Sequence, residues 1–341
     1  MARCLLALGS NLGNRAELLR SAMGEVSRLP ESQLLARSRW RETPSIGGPE
    51  GQDPFLNGAL LIQTSLAPLD LMARLQEIET RLGRQRTVRW GARAIDIDWL
   101  LCDAQVLASP ALQLPHPRMS FRRFVLEPAV EIAGSMLHPT SGWTLAQLLF
   151  HLKSAARYVA VAAPEPRLAD WLADRLASTL GCLRLEPSLA EPSAATDSEP
   201  PNTVEFHRWA TSMLNRRRWQ QHAQLALRLP TARVGLGRQV TPVVSSFWLP
   251  RASVSPAELP LRPALVLALE SAAPQKLPSA QHGSPKIGRK RFRQLLDQAG
   301  HGPLARIQAE NPAEILDEAV AAVRAAWPEL RCRSTELPEE E

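Results

Sequence analysis

Two aspartates set two residues apart, Asp96 and Asp98, follow a run whose charged residues are all arginine: Arg81, Arg84, Arg86, Arg89 and Arg93. From Arg84 to Leu101 the chain reads RQRTVRWGARAIDIDWLL. The alternation Ile95, Asp96, Ile97, Asp98, Trp99 has the side-chain period of a β-strand, which puts both carboxylates on one face. Paired carboxylates beside a cationic loop suit a polyanion handled together with a divalent metal. Mg2+ prefers one or two carboxylates plus phosphate oxygens, and a nucleoside triphosphate is the common partner. The same residues also fit a solvated strand face whose ion pairs carry little energy. The segment alone does not choose between these readings.

A chain of 341 residues is long for one hydrophobic core, so two domains are expected. The formal net charge is +6 and the pI about 9.7. The positive charge is clustered, which favours a local anion site over a general nucleic-acid surface. Cys4, Cys102, Cys182 and Cys332 lie far apart with no metal-ligand spacing. They read as reduced thiols of a cytoplasmic protein. The apolar start, Cys4 to Leu8, is too short for a signal-peptide core, and no apolar run has the length of a membrane span. The expectation is a soluble chain without a membrane partner.

Elements that could position the aspartates follow in order. Arg3 to Leu8 reads as a strand, and Asn14 is placed to cap a helix from Arg15 to Leu29, where apolar residues recur at helical spacing and Pro30 ends the run. Gln33 to Arg41 reads as a second strand. Thr43 to Pro54, TPSIGGPEGQDP, holds three prolines and three glycines, so it is a loop long enough to be functional. Phe55 to Thr64 is a third strand, and Pro68 opens a helix to about Leu82. With the aspartate strand the order is β-α-β-β-α-β, a ferredoxin-like arrangement of two helices on one face of an antiparallel sheet. Beyond it come the extended piece LPHPR around His116, a short helical stretch to Ile132, and a helix from Thr144 to about Leu152.

In collinear order, residues 2 to about 152 resemble the 6-hydroxymethyl-7,8-dihydropterin pyrophosphokinase family of the folate pathway. The resemblance rests on ALGSNLGN (Ala7 to Asn14), ETPSIGGP (Glu42 to Pro49), FLN (Phe55 to Asn57), Ile78-Glu79, GRQR (Gly83 to Arg86) and RWGARAIDID (Arg89 to Asp98), with LPHPRM (Leu114 to Met119) and RRFVLEP (Arg122 to Pro128). It implies transfer of a pyrophosphoryl group from ATP to the pterin hydroxymethyl group, with release of AMP. It also implies roles. Asp96 and Asp98 would hold two Mg2+ ions, with Arg84 and Arg93 beside them in catalysis. ATP would be bound by Glu79, Arg84, Arg86, Arg89, Arg93, His116 and Arg122. The pterin would lie between Phe55 and Phe124, read by Thr43, Pro44 and Asn57. Such roles suit the chemistry, because phosphoryl transfer rests on positioning and charge neutralisation. Arginine's planar fork also matches phosphate oxygens. The sequence departs from the family where tyrosine is frequent, at Phe55, and where a polar pair is common, at Ser120-Phe121.

From Arg157 the pattern changes to strands alternating with helices, a parallel α/β sandwich. Strands are expected at Tyr158–Ala162, Cys182–Leu185, Val240–Trp248, Ala264–Leu269 and Leu304–Gln308, with helices at Leu168–Leu180, within Val204–Leu229 and at Pro312–Trp327. Over about 156 to 328 the order resembles P-loop kinases of the deoxynucleoside kinase type. A P-loop needs G-x-x-x-x-G-K-[ST] after its first strand. Here APEPRLADW (Ala163 to Trp171) lacks the glycines and the lysine, and brings Glu165 and Asp170 instead. Glu186 matches a catalytic acid of those kinases. The expected organisation is therefore a pyrophosphokinase domain at 1–153 and a degenerate kinase-like domain at 154–330. The second domain carries a flexible insertion at 188–203 and is followed by a disordered acidic tail at 331–341. Arg216, Arg217 and Arg218 read as a solvated helix face. The second domain is expected to be non-catalytic, with a structural, self-associating or regulatory role. Competing readings are a pterin or nucleotide binding module without turnover, a basic nucleic-acid binder, and a bifunctional enzyme with nucleoside kinase activity.

Overall fold

The computed structural model describes residues 1–84, 90–155, 157–184, 243–245, 263–270, 288–298 and 302–330. Arg86, Arg89, Glu186, the 188–203 insertion, the 204–229 stretches with Arg216 to Arg218, and the tail lie outside them. The described chain clusters into two compact units; the first is built on Met1–Ser154, with which 302–305 and Val320–Glu329 also group.

The first sheet is laid down by β1 (Ala2–Ser10), β2 (Ser32–Arg37), β3 (Arg41–Thr43), β4 (Phe55–Thr64) and β5 (Asp96–Cys102). Between them lie α1 (Arg15–Ser27) and α2 (Pro68–Arg81). Strand order is β2-β4-β1-β5, with β3 also on β4, all antiparallel. This is the expected β-α-β-β-α-β order, with one correction. The single strand read over 33–41 is two strands, both paired to β4. At the break Ser38 N donates to Ala59 O at 3.0 Å and Ala59 N donates to the Ser38 hydroxyl at 2.9 Å. Trp40 lies flat against Gly58, where a Cβ would come within 2.1 Å of its ring. The indole fills the place a side chain would need, so the strand bends around it.

Helix α1 starts where the Asn14 side chain accepts from Glu17 N at 3.2 Å, which satisfies one orphan donor of the first turn. Its Leu19, Ala22 and Val26 join Leu71, Leu75 and Ile78 of α2 on one face of the sheet, against Cys4, Leu6, Leu8, Leu60, Ile62, Ile97 and Trp99. Alternation sends Ala7 and Gly9, and with them Asp98 and Asp96, to the opposite face. In chain order the unit continues with β6 (Leu107–Ala108) and β7 (Gln113–Leu114), which pair with each other. A 3-10 turn, Met119–Phe121, leads into α3 (Arg123–Ala133). A small ladder of β8 (Leu137–His138) and β9 (Trp143–Thr144) precedes α4 (Leu145–Ser154). Helix α3 buries Val125, Leu126 and Ala129 and packs on β4 and β1, so it covers part of the aspartate face.

One irregularity sets the phase of β5. Leu6 pairs with Trp99 while Leu5 pairs with Leu101, which leaves Leu100 as an extra residue. A bulge of one residue exchanges the two faces beyond it. Asp98 therefore faces the α3 side, whereas Cys102 faces the core under α1 and α2.

The second sheet holds β10 (Tyr158–Ala162), β11 (Leu183–Arg184), β12 (Val243–Ser245), β13 (Leu265–Leu269) and β14 (Leu304–Ile307), in the order β11-β12-β10-β13-β14. The pairs β10–β12, β10–β13 and β11–β12 are parallel. Helices are α5 (Pro166–Leu180), α6 (Arg289–Gln298) and α7 (Pro312–Ala326). Helix α5 ends on Gly181 at φ 64°, a left-handed cap that glycine adopts without strain. Val159, Ala160 and Val161 are buried beside Leu265 to Leu269, as continuous apolar runs in parallel sheets must be.

Candidate active site

The edge of the first sheet opens into a pocket whose lining includes Gly9, Thr43, Pro44, Gly47, Phe55, Asn57, Trp90, Arg93, Asp96, Asp98, Arg122 and Phe124. Its floor is strand backbone. Gly9 lies between Asp96 and Asn57 in the ladder, and a Cβ there would meet Asn57 Oδ1 at 3.1 Å and the Phe55 ring at 3.6 Å. Bare backbone at this position leaves room for both side chains.

Basic groups converge on the carboxylates. Arg84 Nη2 stands 2.8 Å from Asp96 Oδ1, and Arg93 Nη1 donates to Asp96 Oδ2 at 2.7 Å. His116 Nε2 and Arg122 Nη1 each lie 3.8 Å from Asp98 Oδ2. Burial pushes the Asp96 carboxyl up, and the neighbouring Asp98 charge adds to that, against Arg93 and Arg84. Burial also penalises the Asp98 charge, but His116, Arg122, Arg93 and Arg84 outweigh it and hold Asp98 below the usual carboxylate range. Desolvation takes His116 down to about 4, against the pull of Asp98, so its ring is neutral at pH 7. Desolvation lowers Arg122 to about 10, and it remains a cation. Two carboxylates pushed in opposite directions within one pocket favour a functional centre over a solvated face.

Glu79, expected at the nucleotide, is seated below the pocket. It is 3% exposed on α2 and accepts from Ile97 N at 2.6 Å while pairing with Arg84. It thus ties the first arginine to the aspartate strand. Burial raises its pKa despite those partners. On the apolar wall, Arg122 stacks over Phe124 with 5.5 Å to the ring centre. Asn57 Nδ2 donates to Thr43 Oγ1 at 2.7 Å, which fixes the amide's orientation. Phe55, Phe124, Thr43, Pro44 and Asn57, expected to act together, are brought together.

Sequence reasoning gave no role to the side chains that join the loops. Asn11, 1% exposed, accepts from Arg93 N at 2.7 Å and reaches Asp53 O at 3.3 Å and Gln52 Oε1 at 3.5 Å. Gln52 Nε2 donates to Gly47 O, Pro49 O and Trp90 O at 3.1–3.2 Å. Trp90, at φ 58°, sits against Gly47 and Gly48, where a Cβ would fall 2.8 Å from its ring and 2.2 Å from its carbonyl oxygen. Arg118 lies 5.8 Å from the Trp90 ring centre. The loop after β1, the 43–54 loop and the 90–95 segment are therefore docked on one another. The paired glycines beside a downstream tryptophan were the available signal.

Two hard oxygen donors on one strand face suit Mg2+; Asp96 Oδ1 is buried and ion-paired with Arg84. Among the described residues no group of three or more His, Cys, Asp or Glu side chains is arranged to hold a metal ion by itself. Phosphate oxygens and water would have to complete each coordination shell, as is usual for this ion.

Known proteins match this region. The chain is 42% identical over 147 residues to 2-amino-4-hydroxy-6-hydroxymethyldihydropteridine pyrophosphokinase of Pseudomonas aeruginosa, covering 43% of this chain and 90% of that protein. Its counterpart from Haemophilus influenzae is 37% identical over 141 residues, 41% of this chain and 88% of that one. The Bacillus subtilis protein of the same name is 43% identical over 127 residues, 37% and 75% respectively. A solved Plasmodium falciparum HPPK-DHPS A437G structure with pteroate aligns over 79% of this chain and 68% of that one. At TM-score 0.34 and 11% identity that likeness bears no weight. Residues 5–134 fit the family pattern itself, and with relatives covered nearly end to end, this chain belongs to the 7,8-dihydro-6-hydroxymethylpterin-pyrophosphokinase (HPPK) family.

Proposed function

We infer that the first unit catalyses ATP-dependent pyrophosphoryl transfer to 6-hydroxymethyl-7,8-dihydropterin, giving its diphosphate ester and AMP in folate biosynthesis. The observation that carries this reading is the placement of Asp96 and Asp98 on one strand face, flanked by Arg84, Arg93 and Arg122, in a pocket that also holds Phe55, Asn57 and Phe124.

Phe55 and Phe124 offer flat faces to the pterin ring, and the Asn57 amide, fixed through Thr43 beside Pro44, supplies donor and acceptor to its edge. Asp96 and Asp98 would hold two Mg2+ ions. When bound, these supply charge neutralisation at the triphosphate. Arg84, Arg93 and Arg122 cover the phosphate oxygens, a role that Arg86 and Arg89, outside the described residues, would share, and His116 and Glu79 serve the nucleotide, Glu79 through Arg84. The hydroxymethyl oxygen attacks the β-phosphorus and gives up its proton to solvent, the bond between that phosphorus and the α-phosphate oxygen breaks, and AMP leaves with that oxygen. Arg84 and Arg93 change partner from Asp96 to phosphate as the triphosphate enters, which frees carboxylate oxygens for the cations. The docked loops exclude water from the transfer.

For residues 154–330 the proposal is a P-loop-kinase-like fold without phosphate binding. Its support is the parallel order with β10 central and the turn after β10. Glu165 precedes α5 there, where a phosphate loop would present backbone N–H groups. Self-association is the role proposed for this part. Cytoplasmic residence and small-molecule substrates, without nucleic acid, complete the reading; among the described residues no helix is long and apolar enough to cross a membrane.

The test is a coupled assay for AMP with the full chain, ATP, the pterin and Mg2+. Expected are AMP release that EDTA abolishes and Mg2+ restores, and its loss in Asp96→Ala with pterin binding kept. Binding of both substrates without AMP would reduce the protein to a binding module. Deoxynucleoside-dependent ADP formation surviving Asp96→Ala would overturn the reading of the second part.

A further inference from the structure

We propose that Cys4 and Cys102 form a reversible intramolecular disulfide on exposure to a peroxide, stapling β1 to β5 at the end of the ladder away from Asp96. The two residues are direct cross-strand partners, and their sulfurs are 3.2 Å apart. Asp103 N donates to Arg3 O at 2.9 Å, which makes Cys4 and Cys102 a non-hydrogen-bonded pair of the antiparallel ladder. Such pairs have the closer backbone approach, roughly 4.5 Å between Cα atoms, within the roughly 4.4–6.8 Å that a disulfide spans. The Leu100 bulge is what turns Cys102 onto the face of Cys4; with an uninterrupted strand it would share the face of Asp98.

The chemistry balances with hydrogen peroxide as oxidant. The Cys102 thiolate attacks one peroxide oxygen, the O–O bond breaks, and a sulfenic acid and one water result. Cys4 sulfur then attacks Cys102 sulfur, its proton goes to the departing hydroxyl, and a second water leaves. Two thiols have given up two electrons and two protons. The hydrogen bond between the thiols raises the Cys4 pKa and lowers that of Cys102, so Cys102 is the sulfur that reaches thiolate first. Both side chains are buried, at 0% and 3% exposure. The route for a small oxidant is local opening of the ladder end beside the exposed Arg3–Asp103 pair.

The experiment treats the full chain with hydrogen peroxide, quenches with catalase, unfolds it in the presence of an alkylating agent, and maps peptides without reduction. The expected result is a Cys4–Cys102 cross-linked peptide, loss of two alkylatable thiols, recovery of both with dithiothreitol, and a thermal midpoint higher by about 5 °C or more, as closure of a long loop implies. The double variant Cys182→Ala with Cys332→Ala is expected to behave identically and excludes other pairings. Alkylated Cys4 and Cys102 after oxidation, sulfinic acids at either, or a disulfide linking either to Cys182 or Cys332 overturns the proposal. If the double variant does not fold, the wild-type peptide map decides alone.

Discussion

Two strand-to-loop junctions of this chain invite comparison: the arginine loop feeding β5, and the turn from β10 into α5. Both lie where an α/β or α+β protein places anion chemistry, and they are furnished in opposite ways. At β5, guanidinium groups gather on Asp96 and Asp98. At the second junction Glu165 precedes the helix and Arg167 pairs with it at 3.5 Å, while Asp170 one turn on pairs with Arg184 at 3.1 Å. A carboxylate at a helix N-terminus complements the positive end of the dipole and competes with any phosphate for it. The proposed difference in phosphate handling would follow from local side chains and not from the class of fold.

The comparison breaks most visibly at the aspartates. Asp96→Ala or Asp98→Ala is expected to lower kcat by about a thousandfold or more in the AMP assay, since charge neutralisation dominates this chemistry. Activity within tenfold of wild type would refute their role. Next come Arg84→Ala and Arg93→Ala, each expected to cost about a hundredfold or more in kcat/KM. Lysine at either position should restore only part of it, because a point charge does not reproduce a fork.

Proton linkage sharpens the contrast between the carboxylates. Burial raises the Asp96 pKa while cations hold Asp98 down. As pH falls, Asp96 takes up its proton first, and the acid limb of kcat/KM should lie above the ordinary aspartate value of about 3.9. Arg93→Gln removes a cation that opposes the rise, so the limb should move to higher pH; a limb that stays put would assign it to another group. A smaller effect belongs to Gln52→Ala, which cuts the bond from the 43–54 loop to Trp90 and two bonds within the loop. About a tenfold loss in kcat/KM is expected with little change in thermal midpoint. Least of all, Glu165→Gln should leave AMP formation unchanged and give no ADP-forming activity, measured with deoxynucleosides and ATP.

Much of the pocket was legible because β5 announces itself. Strict alternation between Ile95 and Trp99 fixes which face holds the acids, whatever surrounds them. The apolar run Tyr158–Ala162 was equally readable as a buried strand. The break at Ser38 to Trp40 was hidden, because it depends on an indole filling the space over Gly58 across the sheet, which no local period encodes. Asn11, Gln52 and Trp90 escaped for a related reason. The bonds that join the loops run to backbone groups 38 to 82 positions away along the chain. Glu79 is a nucleotide residue only by the family resemblance of Ile78-Glu79, and no local pattern announces its partners. Its burial under Arg84 only becomes visible once α2 is laid against β5.

The extra residue at Leu100 has a last consequence. It acts as a half-twist in a ribbon, so that one strand serves a wet chemistry on its leading half and a dry one on its trailing half, on opposite sides. Shortening the chain by that single position would force one half to turn over, pressing acids into oil or lifting thiols into the substrate chamber. Length variation here should be far less forgiving than in the glycine-rich loop at 43–54.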